Sequence, residues 1–274
     1  MEIFVVDAFA LAPFTGNQAA VCVLEEPVSD EWLQDLASEM NYSETAFLLS
    51  TEQDGADFDL RWFTPAYEVD LCGHATLASA HVLWEELRFA KDVAKFSTRN
   101  GILTANRAGA GIELDFPSTP PVECDTDESL LQTLGIKSAP EFCGRSKFDA
   151  FIVVDSAEQL RGLSPDFGRL KTVDYRGFIV TALSDRAEID FISRFFAPGA
   201  GIDEDPVTGS AHCCLAPYWA GKLGRPKLAG FQASRRGGVV NVEVQADRVR
   251  LGGSAITVTT GRLSEQVVKL GRKS

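Results

Sequence analysis

Apolar positions change their spacing several times along the chain, and each change marks an element. Residues 3–6 are a short β-branched run and residues 19–24 a second, so both predict strands, with a Pro/Gly/Asn loop over 13–18 between them. Over 31–40 the period lengthens. Trp32, Leu33, Leu36, Ala37 and Met40 make one apolar stripe, which predicts a helix capped by Ser29-Asp30 and ended by Asn41-Tyr42. Strand patterns return over 43–49 and 57–63, the second alternating Phe58, Leu60 and Trp62 with polar residues. From 73 to 87 apolar residues cover more than one helical face. A helix of that kind belongs inside a protein, and the strands flanking it in sequence predict a sheet wrapped around it.

The pattern then repeats. Arg61-Trp62-Phe63-Thr64-Pro65 corresponds to Arg194-Phe195-Phe196-Ala197-Pro198, and Gly73-His74-Ala75 to Gly209-Ser210-Ala211, with three extra residues in the second copy's intervening loop. Each copy reads as an aromatic strand, an acidic Pro/Gly loop and a Gly-led helix. The second helix is expected over 210–223, bent or broken by Pro217 and ended by Gly221 and Gly224. Elsewhere strands are expected over 112–116, 151–154, 178–183, 238–244 and 255–259, and a helix over 129–135. The Pro-rich stretch 117–121 is the expected boundary between domains 1–117 and 118–274, with the last strand free to return to the first domain. The expected class is α+β: two pseudo-symmetric domains, each a β-barrel-like sheet around a central apolar helix.

Composition changes this picture little. A chain of 274 residues, 45% hydrophobic and 24% charged, has enough apolar material for two cores. The net charge of −13 repels phosphate backbones and anionic headgroups, so neither nucleic acid nor membrane is an expected partner. An anionic substrate would need local donors such as helix N-termini or a placed arginine. Six cysteines without CxxC spacing read as reduced, and with no secretory leader pattern and no run of 18 apolar residues the expected compartment is the cytoplasm.

Candidate chemistry gathers around the repeats. In pseudo-symmetric domains the helix starts at Gly73 and Gly209 are expected to face each other across a cleft, their free N–H groups suited to a small carboxylate. The plainer alternative is that these glycines only make tight turns. In the loop Asp203-Glu204-Asp205-Pro206, the first two carboxylates read as caps suiting the helix dipole, whereas Asp205, held by the proline, is the functional candidate. Glu44 stands at the mouth of an apolar strand, where burial would raise its pKa toward the range of a proton-transfer group; an exposed strand-end carboxylate is the alternative. His74 lies at the helix mouth, and a core histidine bonded to backbone is its alternative. Only His74, His81 and His212 are present, with no HExxH, CxxC pair, nucleotide loop or GxSxG elbow, so neither a dedicated metal site nor a cofactor is expected.

Four motifs in order, Asp7-Ala8-Phe9 with Pro13-Phe14-Thr15-Gly16-Asn17-Gln18, Ser43-Glu44-Thr45-Ala46-Phe47, Cys72-Gly73-His74-Ala75-Thr76 and Asp205-Pro206-Val207-Thr208-Gly209-Ser210-Ala211-His212, resemble the PhzF-like isomerase family, whose fold is similar to that of diaminopimelate epimerase. The resemblance implies an active site between two similar domains, a homodimer, Glu44 as the proton-shuttling carboxylate, and His74 and Asp205 as supporting acid/base residues. Gln18 stands where the family often has proline. The expected protein is a cofactor-independent isomerase that moves a carbon-bound proton on a small carboxylate-bearing substrate. Ser43, Gly73, Gly209 and Ser210 are its expected binding residues. One alternative is a two-base racemase or epimerase with a cysteine at each helix mouth, but the partner of Cys72 in the repeat is Thr208, a far weaker base. The other is a non-catalytic binding protein that retains the cleft.

Overall fold

The N-terminal β-branched run forms β1 (Glu2–Ala8), which pairs antiparallel with β2 (Asn17–Leu24) and, on its other edge, with the strand Ala255–Arg262. This architecture is that of a computed structural model that describes residues 1–109, 111–125 and 127–272. The second edge pairing carries the C-terminal segment back. One unit therefore comprises Met1–Asp115 with Gly252–Ser274, and the other Phe116–Leu251.

In the first unit β2 runs parallel to β3 (Glu44–Ser50), which is antiparallel to β4 (Phe58–Phe63). The crossover between β2 and β3 is α1 (Asp30–Met40). Ser29 Oγ accepts from the Trp32 N–H at 3.2 Å, and Asn41 closes the helix in the left-handed region at φ 53°. The stripe of Trp32, Leu33, Leu36 and Ala37 is buried against Phe47 and Phe63.

The Gly-led helix α2 (Gly73–His81) packs against β1, β2, β3 and the returning strand, with every residue from His74 to Ala80 buried. Its small side chains let the sheet close around it. The buried hydroxyls of Thr76 and Ser79 donate back to Cys72 O at 2.6 Å and Ala75 O at 2.7 Å, so neither is left without a partner. One expectation changes here. The helix does not run unbroken to Leu87 but passes after His81 into a π turn, Val82–Glu86, with the Leu87 N–H bonded to Val82 O at 3.0 Å. The widened turn keeps Val82, Leu83 and Trp84 buried together.

The second unit repeats the pairing scheme. Asp149–Val153 is parallel to Gly177–Leu183, then follow an antiparallel pair with Phe191–Phe196, a parallel pair with Lys227–Gln232 and an antiparallel pair with Gly238–Gln245. The first unit has the same alternation through β2, β3, β4, Val93–Thr98 and Gly101–Ala108. The likeness reaches single side chains. Arg61 grips Glu68 through two bonds of 2.8 and 2.6 Å and lies over Phe63, while Arg194 grips Glu204 at 2.7 and 2.9 Å and lies over Phe196. Glu204 is thus a bidentate ion-pair partner rather than a helix cap, and the three extra residues fall between it and Arg194.

The second buried helix, Gly209–Leu223, also departs from expectation, because Pro217 neither breaks nor ends it. Proline has no N–H for the carbonyl four residues back, Cys213 O, and that oxygen accepts instead from the Thr119 N–H at 3.0 Å. Gly221 lies within the last turns, and Gly224, at φ 67°, is the terminator. The fold is α+β, and in each unit the sheet wraps a central apolar helix. Among the described residues no helix is long and apolar enough to cross a membrane.

Candidate active site

The loop after β1 is built to present one side chain. The buried Asp7 carboxylate accepts the Phe14 N–H at 2.8 Å, and Gly16, at φ 71°, brings the chain so close to β1 that a Cβ would lie 2.2 Å from Ala8 O. That close return starts β2 at Asn17, whose Nδ2 donates to His74 Nδ1 at 3.2 Å. An amide turned over would accept from a protonated Nδ1, so the same residue can serve both charge states of the ring.

His74 is the second residue of α2, and its Nε2 lies 3.2 Å from Glu44 Oε2 at the start of β3. The His74 side chain is 6% exposed and that of Glu44 15%, so the pair is screened from solvent on most sides. Cys72 Sγ stands 3.5 Å from Nδ1 and 4.0 Å from Nε2. Burial and then the Glu44 charge push the Cys72 thiol up, which keeps it protonated. Burial opposes an imidazolium at His74, but its neighbours Cys72 and Glu44 together outweigh it and hold the histidine well above its ordinary value. With the thiol protonated, Glu44 is the anion that does this. The arrangement is therefore a carboxylate beside a histidine that retains its proton, a pair that can pass one proton back and forth.

Glu44 and His74 are brought together although 30 positions separate them in sequence. Ser43, half-buried, immediately precedes Glu44, and Gly73 is the first residue of α2. At the N-cap of α2 stands Cys72, a weak acceptor, where α1 has Ser29 and the short helices Glu128–Leu134 and Ala157–Arg161 have Asp127 and Ser156.

In the second unit Asp205 Oδ2 accepts from Thr208 Oγ1 at 2.5 Å. Gln232, fully buried, accepts the Thr208 N–H at 2.9 Å and donates to Asp205 O at 2.7 Å, locking the loop before the helix. The Thr208 hydroxyl is thereby turned away from the helix it precedes, and it makes no side-chain cap to Gly209–Leu223. Gly209 is buried as the first helical residue. Ser210 Oγ, on the second, accepts from Arg176 Nη2 at 3.1 Å. Arg176 was invisible to sequence reasoning, since no pattern links it to Ser210. The buried Asp149 holds it by bonds of 2.9 and 2.5 Å, and it lies over the ring of Phe148. Asn17 was readable only as part of a motif.

The other two histidines are structural. His212 Nδ1 donates to Thr208 O at 2.8 Å, and burial pushes its pKa down to about 4. His81 Nε2 meets Thr257 Oγ1 at 3.0 Å, and burial lowers it as well.

Residues 6–261 match the family model described as phenazine biosynthesis-like protein (PhzC-PhzF). An uncharacterized isomerase of Halalkalibacterium halodurans is 52% identical over 263 residues, covering 95% of this chain and 97% of that protein. The crystal structure of a phenazine biosynthesis protein of the PhzF family from Enterococcus faecalis superposes with a TM-score of 0.90 at 39% identity, over 96% and 98% of the two chains. A probable proline racemase from Agrobacterium radiobacter, 13% identical with a TM-score of 0.64 over 96% and 93%, shares the fold alone.

Proposed function

Because this chain belongs to the phenazine biosynthesis-like (PhzC-PhzF) family, we propose that it is an isomerase that moves a carbon-bound proton on a small carboxylate-bearing substrate without a cofactor. The observation that carries the reading is the screened Glu44–His74 pair at 3.2 Å. Glu44 takes the proton from carbon and returns it to another position. His74 stabilises the carboxylate when it is charged and hydrogen-bonds the substrate's developing anion, taking back any proton it lends as Glu44 reprotonates carbon. Asp205, steadied by Thr208 and Gln232, is a supporting acid/base residue. The weakly capped first turn at Gly73, with Ser43, supplies donors for the substrate's carboxylate, and the corresponding turn at Gly209, with Ser210, is the second unit's substrate-binding candidate. The protein works as a cytoplasmic homodimer in this reading, which light scattering and fractionation would check.

The two-thiol racemase alternative has the weaker support. Cys72 is held as a neutral thiol, and Thr208, in the position of the second thiol, spends its hydroxyl on Asp205. A Cys72→Ala variant should lose activity only modestly, whereas a two-base racemase would lose it altogether.

The test begins with the protein in heavy water, presented with pooled small carboxylic acids and assayed by mass spectrometry for deuterium uptake. One acid should gain deuterium at carbon, and Glu44→Gln should cut that uptake by about 10²- to 10⁴-fold. Turnover within a few-fold of wild type in Glu44→Gln would remove Glu44 from its role. A ligand that binds yet never exchanges a proton would favour the non-catalytic reading.

A further inference from the structure

The residues proposed for proton transfer also have the donor set of a metal site. Glu44, Cys72 and His74 each offer one ligand atom, and those atoms all lie within 4.8 Å of one another. We propose that Glu44, Cys72 and His74 form a binding site for a thiophilic divalent cation of the zinc class, with a fourth position open to water or substrate.

Three observations support it. The spacing is close to what the ion requires: bonds of about 2.3 Å to sulfur and 2.0–2.2 Å to nitrogen and oxygen in a tetrahedral array set S···N near 3.6 Å and N···O near 3.4 Å. Here Cys72 Sγ is 4.0 Å from His74 Nε2 and Nε2 is 3.2 Å from Glu44 Oε2, each within a few tenths of an ångström of those values, and the third pair of ligand atoms also lies within 4.8 Å. Asn17 engages Nδ1 at 3.2 Å and leaves Nε2 toward Glu44; with its amide turned over, its oxygen would accept the Nδ1–H that an Nε2-ligating histidine keeps, the support from behind that such histidines usually have. Charge balances too. A thiolate and a carboxylate neutralise a divalent ion, which makes so sheltered a site tolerable. On binding, the sulfur–metal and nitrogen–metal bonds replace S–H and N–H, and those protons leave to solvent. Sulfur and imidazole select zinc, cadmium or cobalt over magnesium or calcium. An ion there takes the Glu44 oxygen and His74 nitrogen that the proposed isomerisation uses, so bound metal and turnover exclude one another. Only that last consequence rests on the isomerase reading.

The experiment titrates Co²⁺, a spectroscopic stand-in for zinc, into the full-length protein without substrate. A thiolate-to-cobalt charge-transfer band should develop at one equivalent, Zn²⁺ should erase it, and Mg²⁺ should not. Cys72→Ala should lose the band, and Glu44→Gln should weaken Co²⁺ binding by at least about tenfold. A Cys124→Ser/Cys143→Ser double variant, which removes the two half-buried thiols elsewhere, should keep it. Absence of a band in wild type, a band that survives Cys72→Ala, or Glu44→Gln binding within twofold of wild type would each overturn the site. Because no substrate is present, such a failure leaves the deuterium-exchange test of the isomerase untouched, and the reverse holds.

Discussion

Replacing Glu44 by Gln should reverse the direction in which His74 is perturbed. In the wild type two effects compete over the imidazolium. Burial disfavours it, since the side chain is 6% exposed, while the Glu44 carboxylate at 3.2 Å favours it. At that separation, with an effective dielectric constant near 20, the attraction is about 5 kcal/mol, of the same order as the several kcal/mol that burying an ion costs. Glutamine preserves shape but removes the charge. What then faces the ring is a neutral Cys72 thiol and the Asn17 amide, neither of which holds a proton on it by charge. The wild-type histidine should titrate well above 6.5 and the variant's below it. The assay is NMR of the histidine ring Cε1–H groups over a pH series. It resolves the residue because the other two histidines are expected below 6.5, with His212 near 4. Stability gives an independent reading with the sign fixed. A folded value raised above the unfolded one contributes stability that is fully present below pH 6.5 and is lost as pH rises through the folded value. Urea unfolding should therefore show this loss on the alkaline side for wild type and not for Glu44→Gln. A wild-type His74 titrating at or below 6.5, or one unmoved by the substitution, would refute the account of the pair.

Three further outcomes follow from the structure. His212, depressed from 6.5 to about 4, should make the protein lose about 3 kcal/mol as pH falls from 6.5 through 4, because the unfolded chain binds the proton first; His212→Gln should flatten that acid limb in urea titrations. Gly16→Ala forces a Cβ to 2.2 Å from Ala8 O at φ 71°, and should lower thermal stability by more than about 1 kcal/mol while altering the environment of His74 through Asn17, visible in the same NMR spectra. Leu77→Ala, at a fully buried position of α2, should cost about 2–5 kcal/mol in denaturant unfolding with the slope unchanged.

Local patterns carried far in this chain. The stripe over Trp32 to Met40 and its Ser29 cap sufficed for α1, because amphipathic spacing and a capping hydroxyl are properties of a few neighbouring residues. The all-round apolar character of 73–87 and 210–223 implied that both helices are enclosed, and the repeat implied units of one build. Local reasoning failed where a partner came from elsewhere. Pro217 was expected to interrupt its helix, and only the Thr119 N–H, remote in sequence, rescues the orphaned Cys213 carbonyl. Glu204 looked like a cap beside a helix until the fold supplied Arg194.

The sequence by itself determined α1, the two enclosed helices, the strands with a clear apolar pattern, the repeated strand–loop–helix unit and the candidates Glu44, His74 and Asp205, since spacing, chain stiffness and residue chemistry are local; strands such as Val93–Thr98, Gly101–Ala108 and Lys227–Gln232 emerged only in the fold. The tertiary structure alone decided that Glu44 and His74 touch, that Asn17 holds the far side of the ring, and that Cys72 stands near enough to complete a three-donor cluster. The physical reason is that a proton shared between two side chains depends on a few ångströms and on exclusion of water. Both are set by which strand lies beside which, in this case by β2 and β3 pairing in parallel so that Ala19 faces Glu44, with α2 packed against both.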